Sequence, residues 1–230
     1  MCEYRVHTTH AHAERTAVRI GAATQAGTAP NTGEGGPDAG DDASMSRILV
    51  CYGSTEGQTA AIADRIGDVL AEAGHDPLVI STKHPPPELD LRRYDGLIVA
   101  ASVHMGHHQR HAASFVRSRV GRFNELPSAF VSVSLTAATG DEAATHTTAE
   151  YVETFLEETG WNPDRTHVVA GALRYRSYGR LLGFVMRVIA ARAGLDTDTS
   201  RDHEYTDWAG VEAFAQEFRT LLEQEPTSSH

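Results

Sequence analysis

The chain has 230 residues, 40% of them hydrophobic, which is enough for one domain with a substantial core. Its formal net charge of -11 argues against a nucleic-acid-binding protein, because contacts to phosphates need clustered Lys and Arg. The two cysteines, Cys2 and Cys51, are too few for a disulfide framework or a cysteine-ligated metal site, and they fit a reducing cytoplasm.

The N-terminal segment predicts a disordered tail. Residues 1–45 are rich in Gly, Ala, Thr and Asp with almost no large apolar side chains, so they cannot offset the entropy of becoming ordered. A functional start at Met45 is the alternative interpretation. We expect one domain over residues 46–225 and a disordered end at 226–230. No stretch reaches the ~20 uninterrupted apolar residues of a membrane span, so any membrane contact would be peripheral.

From Arg47 onward, short apolar runs alternate with segments of helical periodicity. The predicted strands are residues 48–52, 77–80, 95–102, 128–135 and 166–173, and the predicted helices are 57–73, 110–122, 147–159 and one that starts after an N-cap at Thr206 or Asp207. Near-continuous apolar strands separated by helices are typical of a parallel sheet covered on both faces. The predicted fold class is α/β, a doubly wound five-stranded parallel sheet in the order 2-1-3-4-5.

In such a fold, ligands bind outside the carboxyl ends of the strands, where the strand order reverses. This rule selects three loops, at residues 54–59, 102–108 and 135–146. The first loop combines the hydroxyls of Ser54, Thr55 and Thr59 with Gly57 at the start of a helix, where unpaired N–H groups attract anions. It contains no Lys or Arg, unlike a Walker loop, and it suits a terminal phosphomonoester. An ordinary helix N-cap is the alternative.

Several segments together carry a family resemblance: GSTEGQT, ASVHMGHH, LPSAFVSVSL, WNPDRTHVVAGALRY and DTDTSRDHEYTDW. With them the chain resembles the flavodoxin superfamily, and within it the flavodoxin-type, quinone-dependent protoporphyrinogen IX dehydrogenase family, over residues 47–222. The resemblance implies a flavodoxin-like fold and an FMN cofactor. It also implies oxidation of protoporphyrinogen IX to protoporphyrin IX in haem biosynthesis, with a membrane quinone of the menaquinone type as electron acceptor.

The resemblance also implies which residues bind FMN, while it assigns no catalytic residue. The phosphate would be held by Ser54, Thr55, Glu56, Gly57, Gln58 and Thr59, and the isoalloxazine ring would be flanked by Ser102, Val103, His104, Met105 and Gly106 and by Ser134, Leu135, Thr136 and Ala137. His104 and Met105 stand where the family often carries an Arg-aromatic pair. A thioether and an imidazole would therefore replace aromatic stacking on the flavin.

Four histidines, His104, His107, His108 and His111, would share one face if their segment were helical. Imidazoles at this spacing can bind zinc, but no carboxylate lies within the run to complete such a site, and we expect no metal. The favoured interpretation is that His107 and His108 lie at the edge of the substrate pocket, where they meet a porphyrinogen propionate or relay a proton.

An Arg-rich segment precedes the last helix and predicts an amphipathic helical insertion over residues 177–194. Arg176, Arg180 and Arg187 would share one face, opposite an apolar one. One interpretation packs this helix on the sheet, and the other lays it on the inner face of the cell membrane, where a quinone is available. Arg174 and Arg176 are alternatively candidates to bind substrate carboxylates.

Two further functions remain open from the sequence. A soluble flavodoxin-like electron carrier would need no Arg-rich insertion, and a flavin-dependent NAD(P)H:quinone reductase would have its flavin bleached by a nicotinamide cofactor. The quinone species and the oligomeric state, with a homo-oligomer among the alternatives, also stay open.

Overall fold

The computed structural model describes residues 45–55, 57–173 and 203–224. The predicted disordered tail up to residue 44, the C-terminal end from residue 226 and the insertion at 177–194 lie outside these ranges.

In the described ranges, eight strands form a main sheet and a small second sheet. They are β1 (Arg47–Gly53), β2 (Asp76–Ser81), β3 (Gly96–His104), β4 (His107–His108), β5 (Ser128–Ser134), β6 (Arg165–Ala170), β7 (Ala172–Leu173) and β8 (His203–Glu204). The parallel strands of the main sheet follow the order β2-β1-β3-β5-β6, and β4 pairs antiparallel with β3. When only the five parallel strands are numbered along the chain, this order is 2-1-3-4-5. The predicted fold class and topology are therefore confirmed.

The helices cover both faces of the sheet. They are α1 (Gln58–Glu72), α2 (Arg110–Arg117), α3 (Val120–Phe123), α4 (Glu142–Thr159) and α5 (Trp208–Gln224), with single 3₁₀ turns at Leu91–Arg93 and Thr136–Ala138. Successive side chains of a strand point to opposite faces. In β1, Ile48 and Val50 accordingly pack with α1 and α5, while Leu49 and Cys51 pack with α2 and α4. All four are fully buried, which explains the unbroken apolar run of β1.

Three predicted boundaries are wrong for identifiable reasons. Helix α4 begins at Glu142 rather than at residue 147, because the Asp141 carboxylate accepts a hydrogen bond from the Ala144 N–H at 2.7 Å and caps it. The predicted helix 110–122 is interrupted at residues 118 and 119, where the Ser118 hydroxyl donates to the Phe115 carbonyl at 2.9 Å.

The predicted fifth strand, residues 166–173, ends at Ala170. The Gly171 N–H still donates to the Ser134 carbonyl at 3.0 Å, but the chain then leaves the main sheet as β7, which pairs antiparallel with β8. The last helix starts as predicted, because Asp207 accepts a hydrogen bond from the Gly210 N–H at 3.1 Å. The predicted five-stranded sheet therefore stands, with a two-stranded ribbon at its end.

Candidate functional site

The candidate site lies at the carboxyl edge of the main sheet. Strand β1 pairs with β3, and β3 pairs with β5, all in parallel register. The loops that follow these three strands therefore leave the sheet side by side at one edge, and the strand order reverses between β1 and β3. This is the position at which ligands bind in open α/β sheets.

The loop after β1, residues 54–59, ends at the N-terminus of α1. Gly57 is the N-cap residue, with φ of 89°, a left-handed conformation that glycine adopts without steric cost. The Gly57 N–H donates to the Ser54 hydroxyl oxygen at 2.9 Å, so this hydroxyl helps to hold the turn. Thr59 is 1% exposed. Glu56 lies outside the described residues.

The N-cap residue of α1, Gly57, has no side chain and makes no capping hydrogen bond to the first turn. The first turns of α4 and α5 differ, because the carboxylates of Asp141 and Asp207 occupy them. Backbone N–H groups at an uncapped helix N-terminus, together with the positive end of the helix dipole, attract an anion. The geometry of this loop therefore suits a phosphate group held by neutral donors.

Gln109, which sequence reasoning missed, joins the first loop to the second. Its Nε2 group donates to Thr55 Oγ1 at 2.7 Å and to Ser102 Oγ at 3.3 Å. The Ser102 hydroxyl in turn donates to the Gly53 carbonyl at 3.2 Å, at the end of β1. A lone Gln before a helix has no motif around it, so only the fold reveals this link.

Thr206 connects the first loop to the C-terminal part of the chain by hydrogen bonds. Gln58 Nε2 donates to Thr206 Oγ1 at 2.9 Å, and the Thr206 hydroxyl donates to the Ala170 carbonyl at 2.9 Å. The first residue of α1, the end of β6 and the approach to α5 are thus connected through one side chain. The YTDW segment that contributes to the family resemblance has a structural role at the edge of the site.

The second loop is a tight hairpin between β3 and β4, not the open loop or helical segment considered from the sequence. His104 faces His107 across the hairpin, and the turn residues Met105 and Gly106 have φ values of 53° and 84°. Positive φ at both central residues is the signature of a type I′ turn. Met105 is 88% exposed at the tip.

The four histidines do not share a helical face. His104 and His107 are exposed on the hairpin, and His111 lies in α2. No group of three or more His, Cys, Asp or Glu side chains in the described ranges is arranged to hold a metal.

His108 is buried, which corrects its assignment to the pocket edge. It is 8% exposed and packs edge-on against Phe130 and Phe155. Its Nε2 atom lies 2.9 Å from Ser132 Oγ. Burial lowers the pKa of His108 to about 4, outweighing a hydrogen bond to the Tyr151 backbone, so the ring is neutral at physiological pH. A neutral, enclosed imidazole cannot meet a propionate at the surface.

The third loop follows β5 and turns immediately into a 3₁₀ turn. Ser134 is 4% exposed, and its hydroxyl oxygen accepts a hydrogen bond from the Ala137 N–H at 3.3 Å. Leu135, Thr136 and Ala137 are partly exposed at the same edge as the other two loops. The predicted flavin-flanking residues of this loop are therefore brought to the candidate site.

The remaining predicted contacts fall on Arg174, Arg176, Arg180 and Arg187, which lie outside the described residues. Within the ranges that are described, no helix has the length and hydrophobicity needed to cross a membrane.

Comparison with known proteins identifies relatives over most of the chain. The family model described as Flavodoxin domain matches residues 49–200. A protein of Escherichia coli K12 named protoporphyrinogen IX dehydrogenase [quinone] is 35% identical over 178 residues, covering 77% of this chain and 97% of the relative. A Leishmania major protein of the same name is 34% identical over 179 residues, covering 76% and 75%. Among solved structures, a Pseudomonas aeruginosa flavodoxin variant has a TM-score of 0.47 at 16% identity, covering 77% of this chain and 99% of that one.

Proposed function

The chain belongs to the flavodoxin domain family and, within it, to the group of relatives named protoporphyrinogen IX dehydrogenase [quinone], and we propose that it oxidises protoporphyrinogen IX to protoporphyrin IX with FMN. The observation that carries this proposal is the similarity to the bacterial relative, which extends over 97% of that protein. A shared phosphate-binding loop alone would identify only the cofactor class, whereas similarity along the whole domain includes the parts that meet a substrate.

The residues of the first loop fit the phosphate of FMN. The uncapped first turn of α1 supplies backbone donors, and Thr55 supplies an exposed hydroxyl beside it. Gly57 has no side chain to keep the phosphate away from the backbone. The proposed phosphate site consists of Ser54, Thr55, Glu56, Gly57, Gln58 and Thr59. It binds by hydrogen bonds and the helix dipole rather than by a cationic side chain.

The hairpin and the third loop are the proposed walls of the isoalloxazine site. The ring would lie between residues 102–106 and residues 134–137, and when bound it supplies the hydride and electron chemistry. The exposed thioether of Met105 offers a soft, polarisable surface for the flavin. The link from Gln109 to Thr55 and Ser102 holds the phosphate loop and the hairpin strand at a fixed separation.

The proposed electron acceptor is a membrane quinone, met by a protein that lies peripherally on the cytoplasmic face. Support comes from the names of the relatives and from the concentration of arginines at 174–187 in a chain of net charge -11. In this proposal Arg174 and Arg176 contact substrate carboxylates or lipid phosphates, Arg180 and Arg187 contact lipid, and His107 lies near the substrate. The reaction would belong to haem biosynthesis.

The test uses purified full-length protein. Its absorbance spectrum should show bound flavin, and incubation with protoporphyrinogen IX and a menaquinone analogue should produce porphyrin fluorescence faster than the flavin-free protein does. A protein that retains FMN but produces no porphyrin would contradict the proposal. If NAD(P)H then bleached the flavin, the activity would be that of a quinone reductase instead.

A further inference from the structure

A surface groove lies between helix α2 and the turn that follows β2. Its volume is about 400 Å³, within the range of small-molecule sites. It is lined by Thr82, Pro85, Arg110, His111, Ser114, Phe115, Ser118 and Arg119. We refer to these eight residues as the α2 groove. None of them belongs to the proposed FMN contacts.

The α2 groove adjoins the end of β1, immediately before the phosphate loop. A Cβ atom placed on Gly53 would lie 2.9 Å from Ala112 Cβ and 3.4 Å from Thr82 Oγ1. Helix α2 and the turn after β2 therefore close tightly around the last residue of β1. Gln109, which binds Thr55 in the phosphate loop, directly precedes Arg110.

The charges around the α2 groove are positive. Arg110 and Arg119 line it, and Lys83 lies in the adjoining turn. Burial, and after it the positive charges of Lys83 and His84, lowers the pKa of His111. In a chain with net charge -11, a cationic cluster of this kind is a local exception.

The groove cations lack acidic partners in the described part of the chain. Arg117, on the same helix, approaches Glu158 at 4.0 Å, whereas no ion pair to a described carboxylate involves Arg110, Arg119 or Lys83. Uncompensated positive charge beside a concave surface attracts an anionic ligand.

One donor group, the guanidinium of Arg119, is already positioned for such a ligand. The Arg119 guanidinium lies 4.2 Å from the Phe115 ring centroid, and its Nη1 group donates to Ser118 Oγ at 2.7 Å. This fixes the planar fork of the guanidinium, which matches the geometry of a carboxylate. His111 Nε2 is shielded from solvent and has no hydrogen-bond partner in the described residues. In the neutral tautomer that carries the proton on Nε2, this nitrogen is a hydrogen-bond donor.

From this arrangement we propose that the α2 groove binds carboxylate groups of the substrate, which under the proposed function are the propionates of protoporphyrinogen IX. Pro85 places apolar surface beside the cations, which suits a carboxylate attached to an apolar molecule. The identity of the ligand as a porphyrinogen rests on the proposed function, while the preference for a carboxylate rests on the charges of the groove itself.

The experiment compares protoporphyrin IX with its dimethyl ester, which has the same ring and no free carboxylate. Dissociation constants are measured by fluorescence quenching for the FMN-loaded protein and for the Arg110→Gln and Arg119→Gln variants. We expect about a tenfold weaker affinity for the acid in Arg110→Gln, as for loss of a charged hydrogen bond, with the ester unaffected. Arg117→Gln, on the same helix but outside the groove, is the matched control and should change neither affinity.

Equal weakening for acid and ester, or no weakening in either groove variant, would overturn the proposal. Loss of binding to phosphatidylglycerol vesicles in Arg110→Gln, with acid and ester still bound as in the unmodified protein, would instead assign the groove to lipid. A different result would contradict the proposed function: the unmodified protein would not oxidise porphyrinogen. A carboxylate preference that depends on Arg110 would survive that failure.

Discussion

His108 is a neutral imidazole in the core of the protein, and its neutrality has an energetic consequence. The ring is enclosed by Phe130 and Phe155 and is hydrogen-bonded to Ser132. In the unfolded chain the same ring has an ordinary pKa near 6.5, whereas burial lowers the pKa to about 4 in the folded protein. Between these two values the unfolded chain binds a proton that the folded protein does not bind.

We therefore predict that acid destabilises the protein partly through His108. Because the unfolded state binds more protons, the free energy of unfolding falls as the pH drops below about 6.5 and this contribution levels off near 4. Between pH 7 and pH 5 the loss from this one group is of the order of 2 kcal/mol. Urea unfolding at the two pH values measures it.

His108→Gln is the comparison for this prediction. Glutamine keeps a polar group for Ser132 but does not titrate, so the difference in stability between pH 7 and pH 5 should shrink even if the variant is less stable at both. Burial also lowers the pKa of His75, His111 and His167 in the same direction, and these groups remain in both proteins. An unchanged pH dependence in the variant would contradict the assignment.

Met105 has an unfavourable backbone conformation at an exposed position, which is a second residue-scale feature. With φ of 53°, its side chain incurs a steric cost of about 1–2 kcal/mol that glycine would avoid. At 88% exposure the side chain recovers little of this by burial. Under the proposed function, the strain is retained because the thioether contacts the flavin.

Replacing Met105 with Gly should separate the two effects. Relief of strain is partly offset by about 0.4–1 kcal/mol of unfolded-state entropy, so the flavin-free variant should be at least as stable as the original protein. FMN affinity, measured by flavin fluorescence, should fall several-fold if the thioether contacts the ring. A Met105→Gly protein with unchanged FMN affinity would show that this side chain has no part in cofactor binding.

At the scale of elements, apolar periodicity predicts the sheet because β1, β3 and β5 are buried on both faces. The sequence does not predict the hairpin, because its two-residue strand β4 is too short to show any periodicity. Its turn also has the sequence Met-Gly, not the Asn-Gly that is typical of such hairpin turns. The early end of β6 at Ala170 was not predicted either, because Ala172 and Leu173 continue the apolar run in the sequence. Hydrophobicity alone cannot show that a strand leaves one sheet and pairs in another.

Gln109 acts between elements, and removing it should loosen the candidate site without unfolding the protein. Gln109→Ala deletes the hydrogen bonds to Thr55 and Ser102, which join the phosphate loop to the end of β3. Each neutral hydrogen bond contributes about 0.5–1.5 kcal/mol, so loss of both should weaken FMN binding by about 1–3 kcal/mol, roughly 5- to 150-fold. Titration of the flavin-free protein with FMN measures the change.

The control for the Gln109 prediction is Gln216→Ala on the exposed surface of α5, far along the chain from the loops. It should leave both FMN affinity and thermal stability unchanged. If Gln109→Ala lowered the stability of the flavin-free protein by several kcal/mol, the side chain would be holding the fold together rather than positioning the loop.

For the whole molecule, the sequence predicts that the three loops meet at one sheet edge, but it does not predict the hydrogen bonds that connect them. Three loops at one sheet edge follow from the strand order, and the hydroxyls of the first loop are visible in the sequence. The links made by Gln109 and Thr206 join residues that are distant along the chain, and no local pattern marks them. The phosphate loop is thereby connected to the start of α2 and to the approach to α5.

These connections predict that FMN stabilises the whole domain through its phosphate. A ligand that binds only the folded state raises stability by about 2.7 kcal/mol at 100 times its dissociation constant, which for a domain of this size raises the melting temperature by roughly 5–10 °C. Riboflavin has the same ring without the phosphate, so at equal concentration it should raise the melting temperature far less. Equal stabilisation by riboflavin and FMN in thermal unfolding would mean that the N-terminus of α1 does not bind the phosphate. The ring contacts would then carry the affinity.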